Sequence, residues 1–349
     1  MSHQYDIAPS RACGGPTRSR IFSLDETMSH SLLRKIFVAS AFAMSIGAAH
    51  AAYPDRPIRV VVPSAAGGSP DIVVRIFSNE IGKKLGQSLV VDNRPGAAGN
   101  IGMQAVMTAQ PDGYTIGYGN NATLTTNEFL FTKLPYDPNK LEPVVLLTKT
   151  ASVLVVNNNL PVKNVQELVQ YCKQHGDKVS FGSAGIGTSA HIGAELFKTM
   201  TGIKAVHVPY KGAPQAQNDL MAGNVQFMFD NFGAIGPNVK AGKVRALAVT
   251  SKARTPLFPD VPTMDEAGVK AFEMTAWGAI IAPPGTPAEI VTKLNKAFNE
   301  VMQDKNVQAQ LQKLGSTPVG GTPDDARKHI KAERAKWGEV VRKSGAKVE

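Results

Sequence analysis

From Tyr53 onward, short apolar, β-branched runs alternate with segments whose apolar residues recur at helical spacing. IRVVVP (58–63) precedes a helical pattern from about Asp71, LVVDN (89–93) one from about Ile101, and YTIGYG (114–119) closes the first set. The rhythm resumes with SVLVVN before a helix from about Val165, VSFGSA before one from about Thr188, AVHVPY before one ending near Met221, then VQFMFDN and VRALAVTS. Such alternation is the signature of mostly parallel sheets covered on both faces, and it predicts two α/β lobes. TAWGAIIAPPGTP (275–287) then leads into a helix carrying Ile290, Leu294, Phe298 and Val301 on one face, and Thr322-Pro323-Asp324-Asp325 opens a last helix with a cap, a proline and an acidic first turn. These terminal helices have no strands of their own to cover and are expected to pack back on the first lobe. The first lobe is then discontinuous, residues 53–150 and 277–349, the second is 151–276, and the chain crosses between them near 148–153 and 275–280. Two crossings suit a hinge.

Upstream of this pattern the chain reads differently. From Met28 a short basic region, SHSLLRK, is followed by the apolar run IFVASAFAMSIGAA and by Ala49-His50-Ala51, the layout of a secretory signal peptide cleaved near Ala51. The run is shorter than the roughly 20 residues a membrane-spanning helix needs. Residues 1–27 are polar and precede the point where an export signal begins, so Met28 is the expected start and the mature chain is expected in the periplasm. The full sequence carries 38 Lys and Arg against 28 Asp and Glu. Removing residues 1–51, with five basic and three acidic residues, leaves 33 against 25, a net +8. These cations are dispersed, without the run that tracks a phosphate backbone, which points to small anions and away from nucleic acid. Cys13 falls in the leader and Cys172 stands alone, so no intrachain disulfide is expected. No H-E-x-x-H, cysteine pair or EF-hand spacing suggests a metal site.

Four strand ends carry candidate chemistry, because ligands of open α/β sheets bind beyond the carboxyl ends of the strands. In VVPSAAGGSPDIVVRIF (61–77), Ser69 reads as a cap, Pro70 as the first helical position and Asp71 as a dipole partner. The turn before them either only starts a helix or turns its N–H groups to an anion. In VSFGSAGIGTSAHIGAELF (179–197), Gly185 to Ala190 fits G-x-G-x-x-A. A dinucleotide turn also needs an acid at the end of the next strand, about 20 residues on; that strand ends in Pro209-Tyr210-Lys211, so no nicotinamide cofactor is expected. Ser183 resembles a nucleophile with His191 or His207 as base, but Phe181-Gly182-Ser183-Ala184-Gly185 displaces the first glycine of a nucleophile elbow. His191, in the first turn of its helix, either donates to an anion or is a structural histidine. YGNNATLTTN (118–127) offers Asn120, Asn121, Thr123 and Thr125, and MFDN places Asp230 where it either receives an ammonium or hydroxyl or caps the next turn.

The ordered set YPDRPIRVVVP-x-AAGG-x-x-D, NRPGAAGNIG, PDGYTIGYG, GSAGIGTSAHIGAELF, VPYKG, AGKVRALAVTS, FPDVPTMDEAG and WGAIIAPPGTP strongly resembles the Bug-type receptors, the periplasmic solute-binding components associated with tripartite tricarboxylate transporters. The resemblance runs from Tyr53 nearly to the C-terminus. It implies a two-lobed periplasmic-binding-protein (Venus flytrap) fold, monomeric, that closes over a small organic acid without catalysis and serves the membrane subunits of a transporter or a sensor protein. It also implies a ligand gripped by Ser64, Ala65, Ala66, Gly67 and Gly68 in the first loop and by Ser183, Ala184, Gly187 and Thr188 in the second, with Asn120, Asn121 and Asp230 lining the cleft; His191 joins the candidate site from its place in the helix. Ser64 stands where the family usually has an aromatic residue, so the expected pocket lacks one apolar wall. An exported hydrolase using Ser183 is the alternative reading.

Overall fold

The computed structural model describes residues 53–347; the leader, Met28 and the cleavage site lie outside the described residues. In chain order the elements are β1 (Ile58–Val62), α1 (Ser69–Leu85), β2 (Leu89–Asn93), α2 (Asn100–Met107) and β3 (Thr115–Asn120). A wide turn, Ala122–Thr126, and the single turn α3 (Asn127–Leu130) lead to β4 (Glu142–Asn157). There follow α4 (Val165–His175), β5 (Ser180–Ser183), α5 (Ser189–Thr201), β6 (Val206–Pro209), α6 (Ala213–Ala222), β7 (Phe227–Asn231), α7 (Phe232–Lys240) and β8 (Val244–Val249). The chain closes with β9 (Thr275–Ala282), α8 (Ala288–Val301), α9 (Lys305–Lys313), β10 (Ser316–Gly320) and α10 (Pro323–Ser344).

The strands form two mixed sheets with one strand in common, which makes the architecture two-lobed. In the first sheet β1 lies parallel to β2 and β3, while β9 runs antiparallel to β3 and β4, and β10 antiparallel to β4. In the second, β5 lies parallel to β6 and β7, and β4 runs antiparallel to both β7 and β8. The 16-residue β4 serves both: Glu142–Ala151 pair with β9, and Ser152–Asn157 with β7 and β8. Strands buried on both faces read as unbroken apolar runs, as Val60–Val62 and Val153–Val156 do, all fully buried.

Helices cover each sheet on both faces. Phe77 and Ile81 of α1 pack with Leu294 and Phe298 of α8 and Val307 and Leu311 of α9 on one face of the first sheet. Met103 and Val106 of α2 and Ala326 and Ile330 of α10 lie on the other. Around the second sheet, Val165 and Leu168 of α4 and Ile192 and Phe197 of α5 cover one face, and Ala216 and Leu220 of α6 with Phe232 and Ile235 of α7 the other. None of the helices among the described residues is long and apolar enough to cross a membrane.

The last helix packs on the second sheet as well as on the first. The apolar face of α10 is divided: Ala326 and Ile330 belong to the first sheet's core, whereas Trp337, Val340 and Val341 join the second sheet's core, together with Leu130. Twenty-two residues at about 1.5 Å each reach roughly 33 Å, long enough to serve both sheets. At the change-over, Glu333 Oε2 accepts the indole N–H of Trp277 (3.0 Å) from β9 and that of Trp337 (2.7 Å) from its own helix. Both indoles are buried. Glu333→Ala strips both N–H groups of their acceptor and is expected to cost about 2–4 kcal/mol of stability, read as the urea midpoint. Glu333→Gln, which keeps a carbonyl oxygen, is expected to cost less; equal stability of the alanine variant and the wild type would refute the bridge.

Candidate ligand-binding site

The first loop leaves β1 at Pro63 and enters α1. The cap is Gly68, in extended conformation, with Ser69 and Pro70 inside the first turn, one place later than the sequence suggests. Gly67 sits at φ +77°, a region that glycine enters without strain. Its N–H is not left open: it donates to Asp71 Oδ2 (2.8 Å), and Gly68 N–H donates to Ala65 O (3.2 Å). Asp71 also accepts from Arg75 Nε (2.9 Å) and Asn93 Nδ2 (3.0 Å). Burial pushes its carboxyl upward, but the hydrogen bonds from Arg75, the Gly67 amide and Asn93 outweigh this and hold it below the usual carboxylate range. Asn93 Nδ2 further ties Ser64 O (3.2 Å), while Ala65, Ala66 and Gly67 form an exposed tip.

The second loop leaves β5 at Ser183 and enters α5. Thr188 is the cap, its Oγ1 accepting from His191 N–H (3.4 Å) and donating to Gly185 O (2.7 Å). Beneath the loop, His191 and His207 stack with ring centroids 4.0 Å apart, and Phe181 continues the stack on His207 at 4.8 Å. Burial, reinforced by Lys198, lowers His191 to about 4. Burial, with His191 and Lys198, lowers His207 to about 3. Both rings are therefore neutral near pH 7. His191 Nδ1 accepts the Gly187 N–H (3.1 Å), so its proton sits on Nε2, which is the nitrogen left to donate. His207 Nε2 lies 2.6 Å from Ser183 Oγ, which also receives the Gly185 N–H (3.2 Å).

These contacts decide the serine question. Ser183 is wholly buried, and a general base works best with a pKa near the operating pH, far from the value of about 3 for His207. The pair pins the loop to β6. Ala184 is half-buried at the turn.

The third strand end divides its two asparagines. Asn121 is buried with both amide functions spent on β9: Oδ1 accepts Trp277 N–H (2.8 Å) and Nδ2 donates to Thr275 O (3.3 Å). It acts as an extra rung of the first sheet. Asn120, half-buried, turns its Oδ1 back to the Thr123 N–H (3.1 Å). Thr126 and Asn127, which the sequence reading passed over, make the link to the second loop: Thr126 Oγ1 donates to Gly187 O (3.3 Å), and a methyl built on Gly187 would lie 3.2 Å from Asn127 Oδ1. The polar cluster NNATLTTN was their signal, but nothing in it says which member turns inward. The fourth candidate, Asp230, ends β7 buried, accepting from Gln217 Nε2 (2.7 Å) and the Asn231 N–H (2.8 Å), both on its own side of the molecule. Burial pushes its carboxyl up to about 6 against those two bonds. A charged groove lined by Glu80, Lys83, Lys84 and Glu300 lies at the far end of α1; its charges pair with one another and it is no part of this site.

Two α/β lobes sharing a strand, with glycine-bearing loops at helix starts in both, define a solute-binding receptor. Residues 73–346 match the tripartite tricarboxylate transporter family receptor, and the chain belongs to that family. It is 37% identical over 315 residues to protein BugT of Bordetella pertussis, covering 90% of this chain and 96% of BugT. A solved R. palustris protein with adipate is 37% identical, with a TM-score of 0.79 and 84% and 98% of the two chains covered. MatC from Rhodopseudomonas palustris, with bound malate, is 34% identical, with a TM-score of 0.76 and 83% and 100% covered. Receptors of this family are periplasmic and are not enzymes, so the hydrolase alternative falls.

Asp230 yields a pH signature. An unfolded aspartate titrates near 3.9, and the folded carboxyl sits at about 6. Between those values the folded state binds more protons. The stability tied to this group is therefore full below about pH 4 and lost as pH rises through about 6. Asp230→Asn has no such dependence, and relative to the wild type it is expected to gain about 2–3 kcal/mol between roughly pH 4 and 7. Denaturant midpoints at the two ends of that window check this; a constant difference would mean a solvated carboxylate.

Proposed function

We propose that the mature protein, released from its leader near Ala51, is a monomeric periplasmic receptor that captures a small organic carboxylate between its lobes. It delivers this ligand to the membrane subunits of a tripartite tricarboxylate transporter or reports it to a sensor protein. The observation that carries the reading is membership of the receptor family together with two solved relatives that hold adipate and malate. Lobe 1 comprises 53–150 and 277–349 and lobe 2 comprises 151–276, with the second half of α10 lying against lobe 2. One carboxylate goes to the first loop, Ser64 to Gly68, and the other to Ser183, Ala184, Gly187 and Thr188. Asn120 and Asp230 line the space between.

Physical chemistry supports this assignment. A helix start offers unsatisfied N–H groups and about half a positive charge, and both loops precede helices longer than ten residues. Because the Gly67 and Gly187 amides already have partners in Asp71 and His191, the ligand is held by their neighbours in each loop or competes for them. That competition keeps capture reversible, as delivery requires. Ser64 leaves more room or more water in the first loop than an aromatic residue would.

Thermal unfolding of the protein starting at Ala52 tests the reading. Adipate, malate or succinate at about 100 times its dissociation constant adds about 2.7 kcal/mol, a rise of a few degrees in Tm. Thr188→Pro, which removes the cap and its N–H, is expected to weaken binding about tenfold or more. No shift with any dicarboxylate, or unchanged affinity in the variant, would overturn the reading or remove the second loop from the site, respectively.

A further inference from the structure

One polar group beside the second loop is left without a partner. Asn127 is wholly buried, and its Nδ2 donates to both Ala98 O (3.1 Å) and Asn100 Oδ1 (2.6 Å). Asn100 is also buried and lies 3.2 Å from the Tyr136 hydroxyl, which donates to Thr123 O (2.7 Å). Reversing the Asn127 carboxamide would set its oxygen against the backbone carbonyl of Ala98, which cannot turn round, so this contact fixes which end faces which way. Oδ1 is thereby directed to the Gly187 side, where it has no hydrogen-bond donor. Any side chain at residue 187 would occupy the space in front of it: a methyl there would lie 3.2 Å from Oδ1 and 3.0 Å from Leu130 Cδ1.

A buried acceptor without a donor costs about 1–3 kcal/mol. Each such group in a native protein calls for an explanation, and a partner from outside the chain is one. Here the unmet acceptor adjoins the loop that begins α5, whose helix start favours an anion. The two demands differ in sign and lie side by side, and a carboxylate bearing a hydroxyl on the adjacent carbon meets both.

We propose that Asn127 Oδ1 is a specificity-determining acceptor that takes a hydrogen bond from a ligand hydroxyl next to the carboxylate held by the α5 loop, so that the receptor selects hydroxy-carboxylates over their unsubstituted counterparts. The inference rests on the carboxylate reading above and adds to it a chemical class of ligand. Binding of the plain acid leaves Oδ1 unpaired; binding of the hydroxy acid pairs it.

L-malate and succinate differ by that one hydroxyl. Isothermal titration of the protein starting at Ala52 is expected to give malate at least about tenfold tighter binding than succinate, equivalent to about 1.4 kcal/mol. Asn127→Ala is expected to bring the ratio close to one, chiefly by weakening malate, a change in selectivity that a merely structural role would not produce. Equal affinities in the wild type overturn the inference without recourse to any variant, and so does a malate preference that survives in Asn127→Ala. If adipate binds but malate shows no advantage over succinate, the carboxylate reading stands and Asn127 is satisfied by water alone. If no carboxylate binds, both fall.

Discussion

The structure depends on one strand being shared between two sheets. β4 changes partners between Ala151, which pairs with Thr275, and Ser152, which pairs with Asn231. At that point the backbone is laced by hydroxyls: Ser152 N–H donates to Thr250 Oγ1 (2.9 Å), Thr250 N–H and Oγ1 both donate to Ser152 O, and Ser152 Oγ donates to Asn231 Oδ1 (2.9 Å). Thr150 and Ser316 exchange a 2.7 Å bond on the other side. Buried hydroxyls satisfy the polar backbone where regular pairing is interrupted. The second connection, from Thr250 to Thr275, begins at the same place, with Met274 N–H donating to Thr250 O (3.1 Å).

α10 constrains this joint further. Its apolar face is divided between the two cores, and Glu333 sits at the division with two indoles on one carboxylate oxygen. Lys336 adds a bond to Glu273 O (2.7 Å) in the second connection. α10 thereby ties the two cores together.

Both candidate loops follow one rule. In each, a glycine at positive φ gives its amide to a side chain of the following helix, Gly67 to Asp71 and Gly187 to His191. The two partners differ in charge, since Asp71 is held ionised by Arg75 whereas the His191–His207 stack is held neutral by burial. An acidic partner behind one loop and an uncharged one behind the other make the two ends electrostatically unlike, although both precede a helix start.

The alternation of apolar runs with helical periodicity was sufficient for two α/β lobes, because burial on both sheet faces and helical spacing are local properties of sequence. The ordered family motifs likewise identified the receptor class. What the sequence could not disclose was how polar side chains pair across distance. Asn121 and Asn120 are neighbours of one type, yet one is a rung of β9 and the other closes a turn. For His191 the sequence shows neither that His207, 16 residues away, lies on its ring nor that Gly187 occupies its Nδ1 and leaves only Nε2 to donate. Asn127 looks like the end of a polar loop until Ala98 and Asn100 consume its donors and leave its oxygen unpaired. The division of α10 between two cores is equally invisible, since a helical stripe states that a face is buried and not against what. Local chemistry determined the elements and the class; the direction of each hydrogen bond, which depends on partners brought from distant strands, was decided only by the tertiary fold.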